Sequence, residues 1–171
     1  MSKRTVVVMS HRPSFMAAVR GLKQLTSKSK RNQAIRPAVN KTATVLSKAM
    51  KRRARGVGPI LYRTKNGPKT IPANQLAKSI GIRRRTYRRS GFVVAIIGPR
   101  FGYTAPGDVQ PSAIAAFVEG LRPSDSLLST PKAFARPAAR ESLQAMKSTF
   151  RREFIASTKK VLRGLRAKGS L

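Results

Sequence analysis

Side chains that could serve as acid, base, nucleophile or metal ligand are scarce in this chain of 171 residues: one histidine, five carboxylates and no cysteine. His11 stands alone in a basic N-terminal stretch, where an imidazole is ordinarily a solvated side chain rather than a base. No Ser/His/Asp triad, Cys/His pair or His/Cys zinc set can be assembled from this inventory. The carboxylates Asp108, Glu119, Asp125, Glu141 and Glu153 are scattered. Two of them fall at helix-like positions, where an ion pair with a nearby arginine is the ordinary role. Gly56 and Gly58 lack the later Gly-Lys-Ser/Thr of a phosphate-binding loop. These residue types predict neither catalysis nor a metal or cofactor.

Abundant cationic side chains define the chemistry that is available, charge-assisted hydrogen bonding to phosphate or carboxylate. Lysine and arginine total 37, and the formal net charge is +32. All five acids follow residue 107, so the first 107 residues carry net +25 and the last 64 net +7. A field of one sign over most of the chain requires compensation from outside it, by phosphates, acidic lipid or an acidic protein neighbour. Two clusters are dense enough to be contact patches for DNA or for an acidic partner. One is Lys51, Arg52, Arg53 and Arg55; the other is Arg83, Arg84, Arg85, Arg88 and Arg89. The first has an ordinary alternative, compensation of a helix C-terminal dipole.

The elements that must position these clusters can be read from periodicity and breakers. Residues 1–12 read as a basic tail, and 13–171 as a single domain of ordinary size. Lys3, Arg4 and the short run Val6–Met9 imitate a signal peptide, but Arg12 interrupts too early for one. From Pro13, Phe15, Val19 and Leu22 mark one face of a short helix. Ser27–Arg36 is either its solvated continuation or a connector. Pro37 is suited to a first helical turn, and the spacing of Val39, Ala43, Leu46 and Met50 predicts an amphipathic helix over 37–55 that stops at a left-handed Gly56. Gly56–Pro72 reads as a long loop or a loose hairpin turning at Asn66-Gly67. Strands are expected within about 76–98, as an antiparallel pair of Leu76–Arg85 with the β-branched run Phe92–Gly98, which puts the second arginine cluster at the turn end. That run is far short of the ~20 apolar residues of a membrane span. A further short apolar element at about 113–120, assigned as a strand although its periodicity fits strand or helix, precedes a long helix over 136–167 whose apolar side carries Phe134, Ala138, Leu143, Met146, Phe150, Phe154, Val161 and Leu165. The fold class predicted is α+β, a small antiparallel sheet packed against two amphipathic helices, with long loops.

The order of several segments carries a further signal: Leu76-Ala-Lys-Ser79-Ile80, Val93–Gly98, Phe117-Val118-Glu119-Gly120, and Phe134-Ala135-Arg136-Pro137-Ala138 leading into the last helix. In this order and spacing they resemble the head-tail joining, or tail-completion, proteins of long-tailed bacteriophages. The resemblance spans residues ~15–165, with its specific part in 76–140. It implies a structural, non-enzymatic neck protein of the virion, present in the host cytoplasm during assembly. It further implies a hexameric homo-oligomeric ring beside portal/adaptor, tail-terminator or tail-tube proteins, with genomic DNA in its channel. Beside the resemblance, the residues have their own physical reading: Glu119, one of only five acids and lying in an apolar element, pairs with Arg136 or else faces solvent as an ordinary strand glutamate, and Phe134 anchors the last helix on the sheet rather than making a ring contact.

Composition alone supports a different expectation, a basic nucleic-acid-binding protein of ribosomal or nucleoid type, for which a sequence pI near 12.0 is the usual footprint. Aromatic residues make up only 6% and tryptophan is absent, which leaves no evident base-stacking platform. A cationic membrane-surface protein is a third possibility, and it predicts binding to anionic vesicles.

Overall fold

Ala-rich helical stretches set the frame. The computed structural model describes residues 12–25, 27–57, 59–64, 67–87, 92–100 and 133–167. The tail before Arg12, the strand expected at 113–120, and Arg88, Arg89 and Glu119 lie outside the described residues. Among these residues four helices and two two-stranded antiparallel sheets are formed, an α+β arrangement. In chain order they are α1 (Arg12–Gln24), α2 (Lys28–Arg55), β1 (Ile60–Thr64), β2 (Gly67–Ile71), α3 (Ala73–Ser79), β3 (Ile80–Tyr87), β4 (Phe92–Pro99) and α4 (Ala135–Arg166).

The helix expected to open at Pro37 begins at Lys28 and runs through the proline. The segment before Pro37 is polar in composition, yet Asn32 and Ala34 are buried with Ala38. Burial of this face holds the helix together across a residue that cannot donate to the Gln33 carbonyl. Gly56 ends α2 in a right-handed conformation (φ −85°, ψ −1°), not the left-handed stop expected, and its N–H reaches the Arg53 carbonyl at 3.0 Å. The tightened last turn thereby satisfies a carbonyl that a left-handed cap would otherwise serve.

Helix α4 runs antiparallel to α2. At one end Arg53 meets Glu141, and at the other the Ser157 hydroxyl donates to the Ala34 carbonyl. Leu143, expected on the buried side of α4, is exposed, and Ser142 takes the inward position. The inward residues Ala138, Ser142, Met146, Phe150, Phe154 and Thr158 recur every four residues, which leaves Leu143 turned away. The Ser142 hydroxyl is satisfied within the helix by the Ala138 carbonyl at 2.7 Å.

Two cores form along this helix pair. The first joins Met50 and Ala54 of α2, Ile60 of β1, Leu76 and Ala77 of α3, Ile80 of β3, Phe134, and Ala138 of α4. The second joins Ala18 of α1, Ala38 and Phe154, flanked by Phe15, Val19, Leu22 and Phe150. Phe154 lies 5.6 Å from Phe15 and 5.8 Å from Phe150, ring centre to ring centre. Helix α1 approaches α4 so closely at Gly21 that a Cβ there would sit 2.6 Å from the Leu162 Cδ1.

The strand expected to start at Leu76 starts at Ile80, and Ala73–Ser79 is helical. Ala, Gln, Leu and Lys favour the helix, and Leu76, Ala77 and Ile80 present one helical face to the core rather than alternating. The Ser79 hydroxyl, donating to the Leu76 carbonyl at 2.7 Å, closes the turn. Of the two readings of Gly56–Pro72, the hairpin is formed: β1 pairs with β2 from Ile60↔Ile71 to Thr64↔Gly67, with Gly67 at φ +102°. That backbone conformation is open to glycine and strained for other residues.

Candidate functional site

β3 and β4 make an antiparallel ribbon whose ladder runs from Ile80↔Pro99 to Tyr87↔Phe92. Side chains alternate between faces, and residues paired across the ladder share one. Ile80, Ile82, Arg84 and Thr86 therefore share a face with Val93, Ala95 and Ile97, and this face turns to α2. The opposite face carries Gly81, Arg83, Arg85 and Tyr87 opposite Gly98, Ile96, Val94 and Phe92. Burial agrees along β4, where Val93, Ala95 and Ile97 are partly covered while Phe92, Val94 and Ile96 are exposed.

The arginines expected to gather at a basic tip are distributed differently. Arg83, Arg84 and Arg85 sit in mid-ladder opposite Ile96, Ala95 and Val94. The period of two sends Arg83 and Arg85 outward and Arg84 to the α2 side. Arg100 completes the outer face: its side chain lies across Gly81, with Nε 2.7 Å from where a Cβ would be. This arginine has no cluster in sequence, and only the close approach to glycine reveals it.

The cluster on α2 is separate. Ile80 shares a core with Met50 and Ala54, whereas Thr86, six residues on, shares a cleft with Ser29, Asn32, Gln33, Arg36 and Pro37. The ribbon thus rises along α2 away from Lys51, Arg52, Arg53 and Arg55. From residue 52 to residue 36 the helix axis covers about 24 Å. Arg52 and Arg55 are exposed, Lys51 is half-buried, and Arg53 donates from Nε to Glu141 at 3.0 Å. One member of this cluster is accordingly engaged by one of the few acids of the chain. The second α4 acid, Glu153, lies beside Arg152 at 3.4 Å.

A basic region that sequence periodicity does not flag lies at the start of α2, with Lys28, Lys30, Arg31 and Arg36, and of these Arg36 shares a cleft with Thr86 at the upper end of the ribbon. The cleft there has a volume of about 680 Å³, and the buried Asn32 Oδ1 beside it has no hydrogen-bond partner. Phe134 is fully buried among Met50, Leu76 and Ile80, while Arg136 is exposed on the first turn of α4. Among the described residues no three His, Cys, Asp or Glu side chains come together, and no helix is long and apolar enough to cross a membrane.

Comparison of the chain with protein-family models, with curated proteins and with solved structures finds no match. The candidate site thus has two parts, an exposed ribbon face of arginine and apolar side chains and a separate arginine-rich helix end.

Proposed function

We propose that this chain is a structural, non-enzymatic subunit of a tailed-phage neck, acting as a tail-completion protein that joins head to tail. In this reading it assembles as a hexameric ring between portal/adaptor and tail-terminator or tail-tube proteins, with DNA crossing the channel. The observation that carries it is the ribbon: β3–β4 keeps one apolar, arginine-lined face uncovered, and no further strand flanks it among the described residues. A subunit with such a face is incomplete by itself, because exposed strands and contiguous apolar surface call for a neighbour, here an adjoining portal/adaptor or tail protein. The resemblance in segment order over 76–140 supplies the class of assembly. The basic ends then face channel DNA or the acidic surfaces of adjoining rings.

A nucleic-acid-binding protein is the second reading, favoured by the exposed Tyr87 and Phe92 beside exposed arginines. Native mass spectrometry with negative-stain electron microscopy separates the two. The neck reading expects closed rings, formed alone or on addition of the adaptor, and tailless heads with free tails when the protein is lost. A stable monomer that binds duplex DNA stoichiometrically, with affinity falling steeply as salt rises, overturns it.

A further inference from the structure

We infer that the outer face of the β3–β4 ribbon is a docking face for a different protein, one presenting carboxylates beside an apolar strip. The inference rests on the ribbon alone and holds whether or not the chain forms rings.

The face is two parallel columns. On β4, Phe92 is 66%, Val94 37% and Ile96 54% exposed, an apolar column left in water. On β3, Arg83 and Arg85 stand directly opposite Ile96 and Val94, Tyr87 (46% exposed) stands opposite Phe92, and Arg100 lies over Gly81 at the far end. Arginine and aromatic side chains mixed with branched aliphatics, with lysine absent, is the composition of a protein–protein contact. The chain is rich in lysine elsewhere, yet none occurs between Lys78 and Lys132. Lysine is a hydrated point charge, whereas the planar guanidinium tolerates the partial desolvation of such a contact and binds carboxylates in bidentate fashion.

Charge selects among the occupants. A second copy packing through the same face would set Arg83 and Arg85 against their own counterparts, and a two-fold contact repeats that repulsion. A second copy would bring 37 lysine and arginine side chains and only five carboxylates, and the two among the described residues, Glu141 and Glu153, each already lie beside an arginine. A nucleic acid would satisfy the arginines but would lay its charged backbone along Val94 and Ile96, leaving that apolar column unused. A protein surface uses both columns. Its carboxylates would be spaced about 7 Å apart to meet Arg83 and Arg85, with apolar groups about 5 Å to the side to meet Ile96 and Val94.

Fluorescence anisotropy with the full-length protein and three probes tests this. The probes are an acidic peptide of Glu with interspersed Leu and Phe, the same peptide with Ser replacing Leu and Phe, and a short DNA duplex. We expect the apolar acidic peptide to bind at least about tenfold tighter than its Ser counterpart, the difference made by a small hot spot. Val94→Thr/Ile96→Thr should remove that difference and leave DNA affinity unchanged. Arg83→Gln/Arg85→Gln should weaken both peptides about fivefold or more. Circular dichroism checks that each variant folds, and the arginine variant keeps the test available if the threonine variant does not. Because the chain lacks cysteine, Ile96→Cys introduces a unique label site, which should react rapidly with a maleimide in the free protein. The inference is overturned if the Ser peptide and the duplex bind as tightly as the apolar peptide, if no peptide binds, or if the thiol introduced by Ile96→Cys is unreactive because the chain covers its own ribbon.

Discussion

Thr158 allows the α1–α4 crossing to be tested by a substitution that should stabilise the protein. Its side chain is fully buried, its methyl lies 3.7 Å from where a Cβ on Gly21 would be, and its hydroxyl has no hydrogen-bond partner. Thr158→Val keeps the shape and the β-branch, at nearly the same helix propensity, and replaces the hydroxyl by a methyl. An unpaired buried hydroxyl costs about 1–3 kcal/mol in desolvation, so the variant should gain about 1–2 kcal/mol. For a chain of this length that corresponds to a rise in Tm of about 2–8 °C. Thr44→Val is the internal control, because the Thr44 hydroxyl donates to the Asn40 carbonyl at 3.0 Å. Its loss should cost up to about 1 kcal/mol. Thermal and urea unfolding followed by far-ultraviolet circular dichroism read both. A Tm for Thr158→Val at or below that of the parent protein would refute the reasoning. It would mean that the hydroxyl has a partner, such as the carbonyl one turn earlier, and that the crossing differs from the one described.

Three further outcomes follow from named residues. Phe134→Ala empties the centre of the first core and should cost about 3–5 kcal/mol, seen as an early urea midpoint; a loss below about 1 kcal/mol would mean that Phe134 does not seat α4. Pro37→Ala restores an N–H toward the Gln33 carbonyl and should stabilise the protein by about 1–3 kcal/mol in the same assay, whereas destabilisation would show that the proline shapes the helix usefully. Raising sodium chloride from about 0.01 to 0.5 M shortens the screening length several-fold, so Tm should rise as the self-repulsion of a +32 chain is damped. A salt-independent Tm would mean that the folded state does not feel that charge.

Legibility followed the strength of the local signal. Phe15, Val19 and Leu22 carry a plain helical period, and the β-branched run before Gly98 carries a plain strand signal, so α1 and the β3–β4 pairing can be anticipated from sequence. Pro37 misleads because local rules favour a helix start, while the burial of Asn32 and Ala34, a tertiary effect, extends the helix back to Lys28. Leu76–Ser79 misleads for a related reason: a single turn of helix and an imperfect strand look alike over so few residues. Leu143 is out of place because α4 buries a strip that includes the polar residues Ser142, whose hydroxyl bonds within the helix, and Thr158, so hydropathy does not mark the inward side. At the site, Arg83–Arg85 are conspicuous in sequence, but their division between two faces follows from the ladder register. The apposition of Arg100 to Gly81 is a long-range contact with no sequence signature.

The seam between α2 and α4 is lined with alanine: Ala34, Ala38, Ala54 and Ala138 are all fully buried. Alanine has no rotamers to lose, so closing this seam costs almost no side-chain entropy, and the helices are drawn together by methyl groups whose positions are set by the backbone alone. The seam consequently acts as a spacer of fixed thickness. It holds the phenylalanine-centred cores at either end of the helix pair in a constant relation, and with them the ribbon and the arginine-rich helix end that meet whatever lies outside the chain.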